Sequence, residues 1–382
     1  MTGRDERRPL SLLIKPVSGE CNLACRYCFY RAETLMRKTR DFGRMSDKTV
    51  DELIYSAVNA ASGSLTFSFQ GGEPTLWGLD NFRKFQDKSL AAAKESAPGL
   101  DVRFTIQTNG VLVAEDSRFA EFFAENNWLV GLSIDGAPQL HDANRPAPGG
   151  KGSYEAALKA AENLKAAGAE FNILTVVTDQ MAKRASRIYN DYKSRGWHFM
   201  QFIPCIDGSD SSNRSLSCES WGRFQRSLFD CWYKDIKAYL GGSGERVSVR
   251  RFDDLVRVAA GFMPEECGSR GGCSVQYVVE GDGSVYPCDF YCLDEWKMGY
   301  IKDGVKALFD SPAARRFLET GAPKLNEKCR GCDALGFCRF GCRRYRTGIP
   351  GENEEYIYCE AEKSLISYAG KRLSELSGYL RR

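Results

Sequence analysis

Cysteine placement constrains this chain more than any other feature. Three cysteines, Cys21, Cys25 and Cys28, stand in C-N-L-A-C-R-Y-C, straight after the first strand-like run. Eight more crowd the last third: Cys267, Cys273, Cys288, Cys329, Cys332, Cys338, Cys342 and Cys359. The chain has 15 cysteines in all but only 2 histidines, His141 and His198. So few imidazoles leave little for mixed Cys/His zinc sites or for histidine acid–base catalysis. No N-terminal signal stands out. The start, Met1–Arg8, is charged, and the apolar run Leu10–Ile14 is too short for a secretory core or a membrane span. A cytoplasmic setting is expected, where thiols serve as metal ligands or catalysts rather than as disulfides. The net charge of +3 gives no footing for a nucleic acid or an anionic membrane as partner.

A chain of 382 residues suits one large domain and a smaller one. Short, β-branched or aromatic runs predict strands near Leu12–Val17, Leu65–Gln70, Val102–Thr108, Leu129–Ile134, Phe171–Thr178 and Phe199–Ile206. Between them, apolar spacings of three and four predict helices. One is capped by Ser46 and runs through Val50, Leu53, Ile54 and Ala57; others cover about Asn81–Lys94, Ser117–Asn126, Tyr154–Ala167 and Gln180–Arg195. Six βα units in series imply an α/β fold, with a parallel sheet and helices outside. Six are too few to close an eight-stranded barrel, so an open, partial (β/α)6 barrel is expected, with its active site at the C-terminal strand ends. A helix over Trp221–Tyr239 follows, and Gly241–Gly244 marks the boundary. Residues 1–240 form the barrel and 241–382 a small cysteine-rich domain. In the latter, Gln276–Glu280 and Ser284–Tyr286 flank Gly281–Asp282–Gly283 as a hairpin, and Ala361–Leu380 reads as an amphipathic tail helix.

Three thiolates from one loop can hold three irons of a cubane cluster and leave the fourth iron open to a ligand. The C-x3-C-x2-C spacing followed by the aromatic Phe29 resembles the signature of the radical S-adenosylmethionine superfamily, over roughly residues 1–240. That resemblance implies that the open iron chelates S-adenosylmethionine and that an electron then cleaves its sulfonium to give a 5′-deoxyadenosyl radical. It further implies that Gly72, within Gly71–Gly72–Glu73–Pro74, meets the cofactor's amino group, and that Tyr27 lies near the adenine. Ser133 and Arg145 would reach its ribose and carboxylate, and Ile206 would line the adenine pocket.

The eight downstream thiols suffice for two fully ligated four-iron clusters. The stretch C-R-G-C-D-A-L-G-F-C-R-F-G-C is equally compatible, by spacing alone, with a pair of zinc ribbons. The region resembles the SPASM extension, with its twitch element, of radical enzymes that modify peptides. On that resemblance Cys267, Cys273, Cys288 and Cys342 hold one auxiliary [4Fe-4S] cluster and Cys329, Cys332, Cys338 and Cys359 the other, which makes three clusters in all. Cys205, Cys218, Cys231 and Cys292 are left over, and burial as small hydrophobes is their expected fate. Cys292, close behind Cys288, is the one that could compete as a ligand.

A closer resemblance rests on S-L-L-I-K-P at Ser11–Pro16, C-R-Y-C-F-Y at Cys25–Tyr30, F-Q-G-G-E-P at Phe69–Pro74 and D-G-S-V-Y-P-C-D-F-Y at Asp282–Tyr291. These look like the anaerobic sulfatase-maturating enzymes, which convert a cysteine or serine of an unmodified sulfatase to Cα-formylglycine. The resemblance implies an unfolded C/S-x-P-x-R segment as substrate and a flavodoxin or ferredoxin as reductant. The substrate's Cβ loses a hydrogen atom, its thiol or hydroxyl a proton, and the resulting radical an electron. A carboxylate beside a cluster suits the proton, so Asp289, directly after Cys288, is expected to be the general base. Gln70 and Tyr30 are expected to touch the peptide. Two rivals remain open from the residues alone: a maturase that installs thioether or carbon–carbon crosslinks in a ribosomal peptide, and a zinc-binding adaptor.

Overall fold

The computed structural model describes residues 8–206, 216–348 and 354–380; the charged start, residues 1–7, lies outside them. Ten of its strands are β1 (Arg8–Ile14), β2 (Ala61–Phe69), β3 (Asp101–Thr108), β4 (Leu129–Ser133), β5 (Phe171–Val177), β6 (Phe199–Pro204), β7 (Ser248–Val249), β8 (Val278–Val279), β9 (Ser284–Tyr286) and β10 (Gly299–Tyr300). All six strands expected from alternation and β-propensity form within a few residues of their predicted bounds. Helices alternate with them: α1 (Phe29–Met36), α2 (Asp47–Ala60), α3 (Leu79–Ser96), α4 (Arg118–Glu125), α5 (Tyr154–Ala167), α6 (Ala185–Ser194), α7 (Cys218–Leu240), α8 (Arg250–Ala259) and α9 (Cys359–Leu380). The single helix predicted over Gln180–Arg195 is in fact two, because the backbone at Arg184 leaves helical geometry (φ −127°, ψ 21°). Helix α1, directly after the first cysteine loop, was not expected. Among the described residues no helix is long and apolar enough to cross a membrane.

The chain divides into two compact units. The first comprises Met1–Ser133, Arg145–Phe171 and Ser274–Phe317. Its strands run in the order β10-β9-β8-β1-β2-β3-β4, and β1 to β4 are mutually parallel. The Ser46 hydroxyl caps α2 by accepting from Thr49 N, as expected of a residue at that position. Inward-facing Phe67 and Phe69 on β2 pack with Phe82 and Phe85 of α3, Phe104 of β3 and Trp128. Phe69 and Phe104 both stack with the Trp128 ring, at 5.4 and 5.1 Å between centroids. The Trp128 indole N–H donates to Gln86 Oε1, so the ring is buried without orphaning its donor.

The hairpin predicted around Gly281–Gly283 forms as β8 and β9, with Val279 opposite Val285. Asp282 holds the turn by accepting from Ser284 N at 2.9 Å, and Gly283 takes a left-handed φ of +83°. The hairpin does not stay with the cysteine-rich segment that follows it in sequence. Its first strand pairs parallel with β1, Leu13 with Val278 and Ile14 with Val279, and Lys15 N donates to the Val279 carbonyl at 2.8 Å. Gly281 meets the backbone of Gly43 so closely that a Cβ there would collide with the Gly43 carbonyl.

The second unit comprises Ile134–Asn144, Asn172–Cys273 and Leu318–Arg382, with β5, β6 and β7 parallel. Helix α9 packs on α7 and α8: Arg372 and Tyr368 both reach Asp230, and Arg251 pairs with Glu362. Small residues, Gly222 and Ala361, let α7 and α9 approach.

In the first unit a set of charged side chains is buried where β1, α1 and the β8–β9 hairpin meet. Lys15, Glu33, Arg37 and Glu280 are each at most 4% exposed. Neither carboxyl oxygen of Glu33 has a hydrogen-bond partner among the described residues. Burial, against the opposing pull of Lys15, pushes its carboxyl up to about 8. The carboxyl therefore keeps its proton at neutral pH, and the two cations, Lys15 and Arg37, share Glu280.

Two measurements test this packing. Trp128→Ala removes the ring on which the aromatic cluster stacks and should cost about 3–5 kcal/mol in denaturant unfolding with an unchanged m-value. For Glu33 the folded carboxyl titrates near 8, against an unfolded value of about 4.3. Between these values the native state holds a proton that the unfolded state has lost, so stability falls as pH rises through the window. Glu33→Gln removes that dependence. Its melting temperature should gain on the wild type from pH 5 to pH 8, by the equivalent of a few kcal/mol at most, and the gap should be flat above.

Candidate functional site

The loop after β1 carries Cys21, Cys25 and Cys28, and α1 starts at the next residue, Phe29. Backbone hydrogen bonds shape the loop. Leu23 N donates to Cys21 Sγ at 3.4 Å, and Cys28 N donates to the Cys25 carbonyl at 3.2 Å. Burial raises the Cys28 thiol, and the Arg145 guanidinium opposes that rise. Arg145 lies 5.4 Å over the Tyr27 ring, so two of the five residues expected at the cofactor are neighbours. None of the 15 cysteines is in a disulfide.

Beyond β2, Gly71 and Gly72 cross this loop at close range. Gly72 N donates to the Ser18 carbonyl and Glu73 N to the Glu20 carbonyl, at 3.0 and 2.8 Å. A Cβ on Gly72 would collide with the Glu20 carbonyl, and one on Gly71, at φ +118°, with the Lys15 side chain. Glycine is therefore demanded here by chain-to-chain packing, whatever else the backbone meets. Glu73, 1% exposed, binds the ends of two strands together. It accepts from Thr75 Oγ1 at 2.6 Å, Thr108 Oγ1 at 2.7 Å and Asn109 N at 2.7 Å, while burial raises its pKa. Asn109 passes the linkage on, its Nδ2 donating to Asn22 Oδ1 at 2.7 Å inside the cysteine loop. Ser133 ends β4 and is half-buried.

Asp289 opens a short 3-10 turn, Asp289–Tyr291, immediately after the hairpin and Cys288. It is buried, at 6% exposure. Tyr30 Oη donates to its Oδ2 at 2.6 Å, and Gln70 Nε2 donates to the same oxygen at 2.8 Å. Oδ1 has no hydrogen-bond partner among the described residues and faces the Lys15 ammonium at 3.3 Å. Tyr30 and Gln70, expected to touch a peptide, are thus gathered on Asp289 itself. Burial and the Asp289 charge keep the Tyr30 phenol well above its usual range, so it donates as a neutral hydroxyl.

Sequence reasoning missed Lys15, Glu280 and Arg37. Lys15 Nζ lies 3.4 Å from Glu280 Oε1, 3.3 Å from Cys292 Sγ and 4.5 Å from the centre of the Tyr30 ring. Burial alone would lower its pKa, but Cys292, Glu280 and Asp289 together raise it, and the ammonium stays charged. The sequence offers only a weak signal, a lysine directly after the apolar run Leu10–Ile14. Cys292 is fully buried, packed with Val278 and Tyr286.

The second unit holds the other cysteines apart from Cys288. Arg346 organises them through backbone carbonyls, donating to Gly341 at 2.9 Å, Phe340 at 3.1 Å, and Gly271 and Gly321 at 3.3 Å. These carbonyls belong to the segments bearing Cys273, Cys338 and Cys342. Asn326 caps the turn at Cys329 by accepting from Cys329 N at 3.0 Å. Burial pushes the Cys273 thiol up to about 11 and the Cys338 thiol up to about 12. Cys267 and Cys332 lie near the surface of the same unit, Cys359 opens α9, and Ile206 sits half-buried just beyond β6. Among the described residues no three His, Cys, Asp or Glu side chains converge as around a single ion. His141, far from these thiols in sequence, is buried and accepts from Asp135 N through Nδ1.

Comparison with known proteins places the whole chain. The Radical SAM superfamily model matches residues 16–186, and the model of an iron-sulfur cluster-binding domain, SPASM, matches residues 270–333. A cysteine-type anaerobic sulfatase-maturating enzyme of Clostridium perfringens is 38% identical over 379 residues, 98% of this chain and 100% of that protein. A serine-type enzyme of Bacteroides thetaiotaomicron is 31% identical over 372 residues, covering 91% of this chain and 86% of that protein. The solved structure of native anSMEcpe with bound AdoMet and Cp18Cys peptide superposes with a TM-score of 0.88 at 38% identity, covering 97% of this chain and 99% of that one. With its α/β fold, its cysteine loop and its SPASM segment, the chain belongs to the anaerobic sulfatase-maturating enzymes of the radical SAM superfamily.

Proposed function

We propose that this protein oxidises a cysteine of an unmodified sulfatase to Cα-formylglycine, taking a C/S-x-P-x-R segment as its substrate. The carrying observation is Asp289: a buried carboxylate with one oxygen held by Tyr30 and Gln70 and the other without a hydrogen bond. Cysteine is preferred over serine because the cysteine-type relative is the more similar, at 38% against 31% identity. The crosslinking reading is not favoured, since the near-full-length relatives are sulfatase-maturating enzymes.

S-adenosylmethionine and three [4Fe-4S] clusters, when bound, supply the hydrogen-abstracting radical and an acceptor for one electron. Cys21, Cys25 and Cys28 hold the first cluster's irons, and Tyr27, Gly72, Ser133 and Arg145 hold the cofactor. The remaining eight cysteines carry the two further clusters, with residues 1–240 as the radical domain and 241–382 as the extension. Asp289 takes the substrate's thiol proton on Oδ1; with the hydrogen atom and one electron also lost the cysteine becomes a thioaldehyde, which water hydrolyses to the aldehyde with release of hydrogen sulfide. Tyr30 and Gln70 keep Oδ2 occupied, so the two oxygens have distinct tasks, and both side chains border the peptide. Lys15 sets a fixed positive charge 3.3 Å from Oδ1. Electrons come from a flavodoxin or ferredoxin in the cytoplasm.

The test is anaerobic turnover of the reconstituted protein with a C-x-P-x-R peptide. Wild type should yield formylglycine and 5′-deoxyadenosine in equal amounts. Asp289→Asn should still cleave the cofactor but make formylglycine about 100-fold more slowly. Cys21→Ala should abolish 5′-deoxyadenosine altogether. A serine peptide should react more slowly than the cysteine peptide; equal or faster turnover of serine would reverse the substrate preference.

A further inference from the structure

The Lys15 ammonium that faces Asp289 Oδ1 is itself held, and what holds it takes no part in the chemistry described above. Glu280, 0% exposed, places Oε1 3.4 Å from Lys15 Nζ and 2.8 Å from Arg37 Nη1. One carboxylate oxygen thus bridges two buried cations, the first from β1 and the second from the residue that ends α1. Arg37 is pinned in turn: its Nη2 donates to Thr34 Oγ1 at 3.3 Å, and its guanidinium lies 5.1 Å over the Phe42 ring. Glu280 stands at the end of β8, in the same hairpin that delivers Asp289. A chain of charges, Arg37–Glu280–Lys15–Asp289, therefore links α1, the hairpin and β1. Buried charges at this depth are costly unless each is paired, so the order of pairing fixes where each group sits.

We propose that Glu280 and Arg37 are positioning residues for the reaction, holding the Lys15 ammonium midway between two carboxylates so that it does not close into a hydrogen bond with the buried, unpartnered Asp289 Oδ1. This rests on Asp289 being the base. Lys15 has two anionic partners at nearly equal range, 3.3 and 3.4 Å. Removing the Glu280 charge leaves Asp289 as its sole carboxylate partner. The ammonium then closes on Oδ1 and occupies the position that the substrate's proton must reach. Removing the Arg37 charge leaves Glu280 to draw Lys15 the other way, and Asp289 loses its fixed counter-charge. Both changes act on the proton step and leave the cysteine loop and the Gly71–Glu73 crossing intact. The expected signature is uncoupling: the radical forms and abstracts hydrogen, but product fails to follow.

The experiment compares Glu280→Gln, Arg37→Gln and Arg37→Lys holoenzymes with wild type and Asp289→Asn, measuring formylglycine per 5′-deoxyadenosine with a C-x-P-x-R peptide. Glu280→Gln and Arg37→Gln should keep cofactor cleavage within about 2-fold of wild type while the product ratio falls roughly 10-fold or more. Arg37→Lys, which retains the charge, should restore most of the ratio. A wild-type ratio in Glu280→Gln overturns the proposal, as does loss of cofactor cleavage in parallel with product, which would mark a merely structural role. If instead Asp289→Asn alone gives a full product ratio, the base assignment has failed, and the two failures are told apart.

Discussion

Two residue pairs of parallel β-ladder, Leu13 with Val278 and Ile14 with Val279, decide what this protein can do. They take a hairpin more than 200 residues downstream of β1 and lay it along the strand that feeds the first cysteine loop. Once that register is set, the residues following each strand face one another. Lys15 follows β1, Gln70 follows β2, Glu280 follows β8, and Asp289 lies just past β9. Slipping the pairing by one residue would turn Asp289's neighbours to the other face and dissolve the site. The register is secured by the Gly281 contact with Gly43, where any side chain would intrude, and by the Asp282 turn.

That arrangement concentrates charge in a dry place. Lys15, Arg37, Glu280 and Asp289 balance to zero, and Glu33 joins them only in its neutral form. Balance explains why such a cluster can be buried at all, since an unpaired charge at this depth would unfold the region or lose its ionisation. It also gives Asp289 an asymmetric environment. Two neutral donors hold one oxygen, and one shared cation faces the other. A buried carboxylate oxygen with no hydrogen-bond partner and a fixed counter-charge beside it is suited to receive a proton.

Much of this was legible in the sequence, and the parts that were not share a cause. The six strands and most helices followed from alternation, spacing and the Ser46 cap, because those are local. The cysteine loop and Asp289 followed from motif and family resemblance. Gly71 and Gly72 were picked out for the cofactor, but their close approach to the backbone before Cys21 was not foreseen, being a contact set by two strands side by side. Tyr30 and Gln70 were picked out, but their meeting on Asp289 required the β1–β8 pairing, and no local pattern encodes a pairing across that separation. Lys15, Arg37 and Glu280 look like ordinary surface charges in a one-dimensional reading. Their burial becomes visible only once the hairpin covers them.

The measurement that bears most directly on this account is an anaerobic crystal structure of the loaded protein with S-adenosylmethionine and a cysteine-bearing sulfatase peptide. The account requires Asp289 Oδ1 to be the protein oxygen closest to the peptide's sulfur, with Tyr30 and Gln70 still bound to Oδ2. A carboxylate turned away from the peptide, or a different side chain in contact with that sulfur, would contradict it.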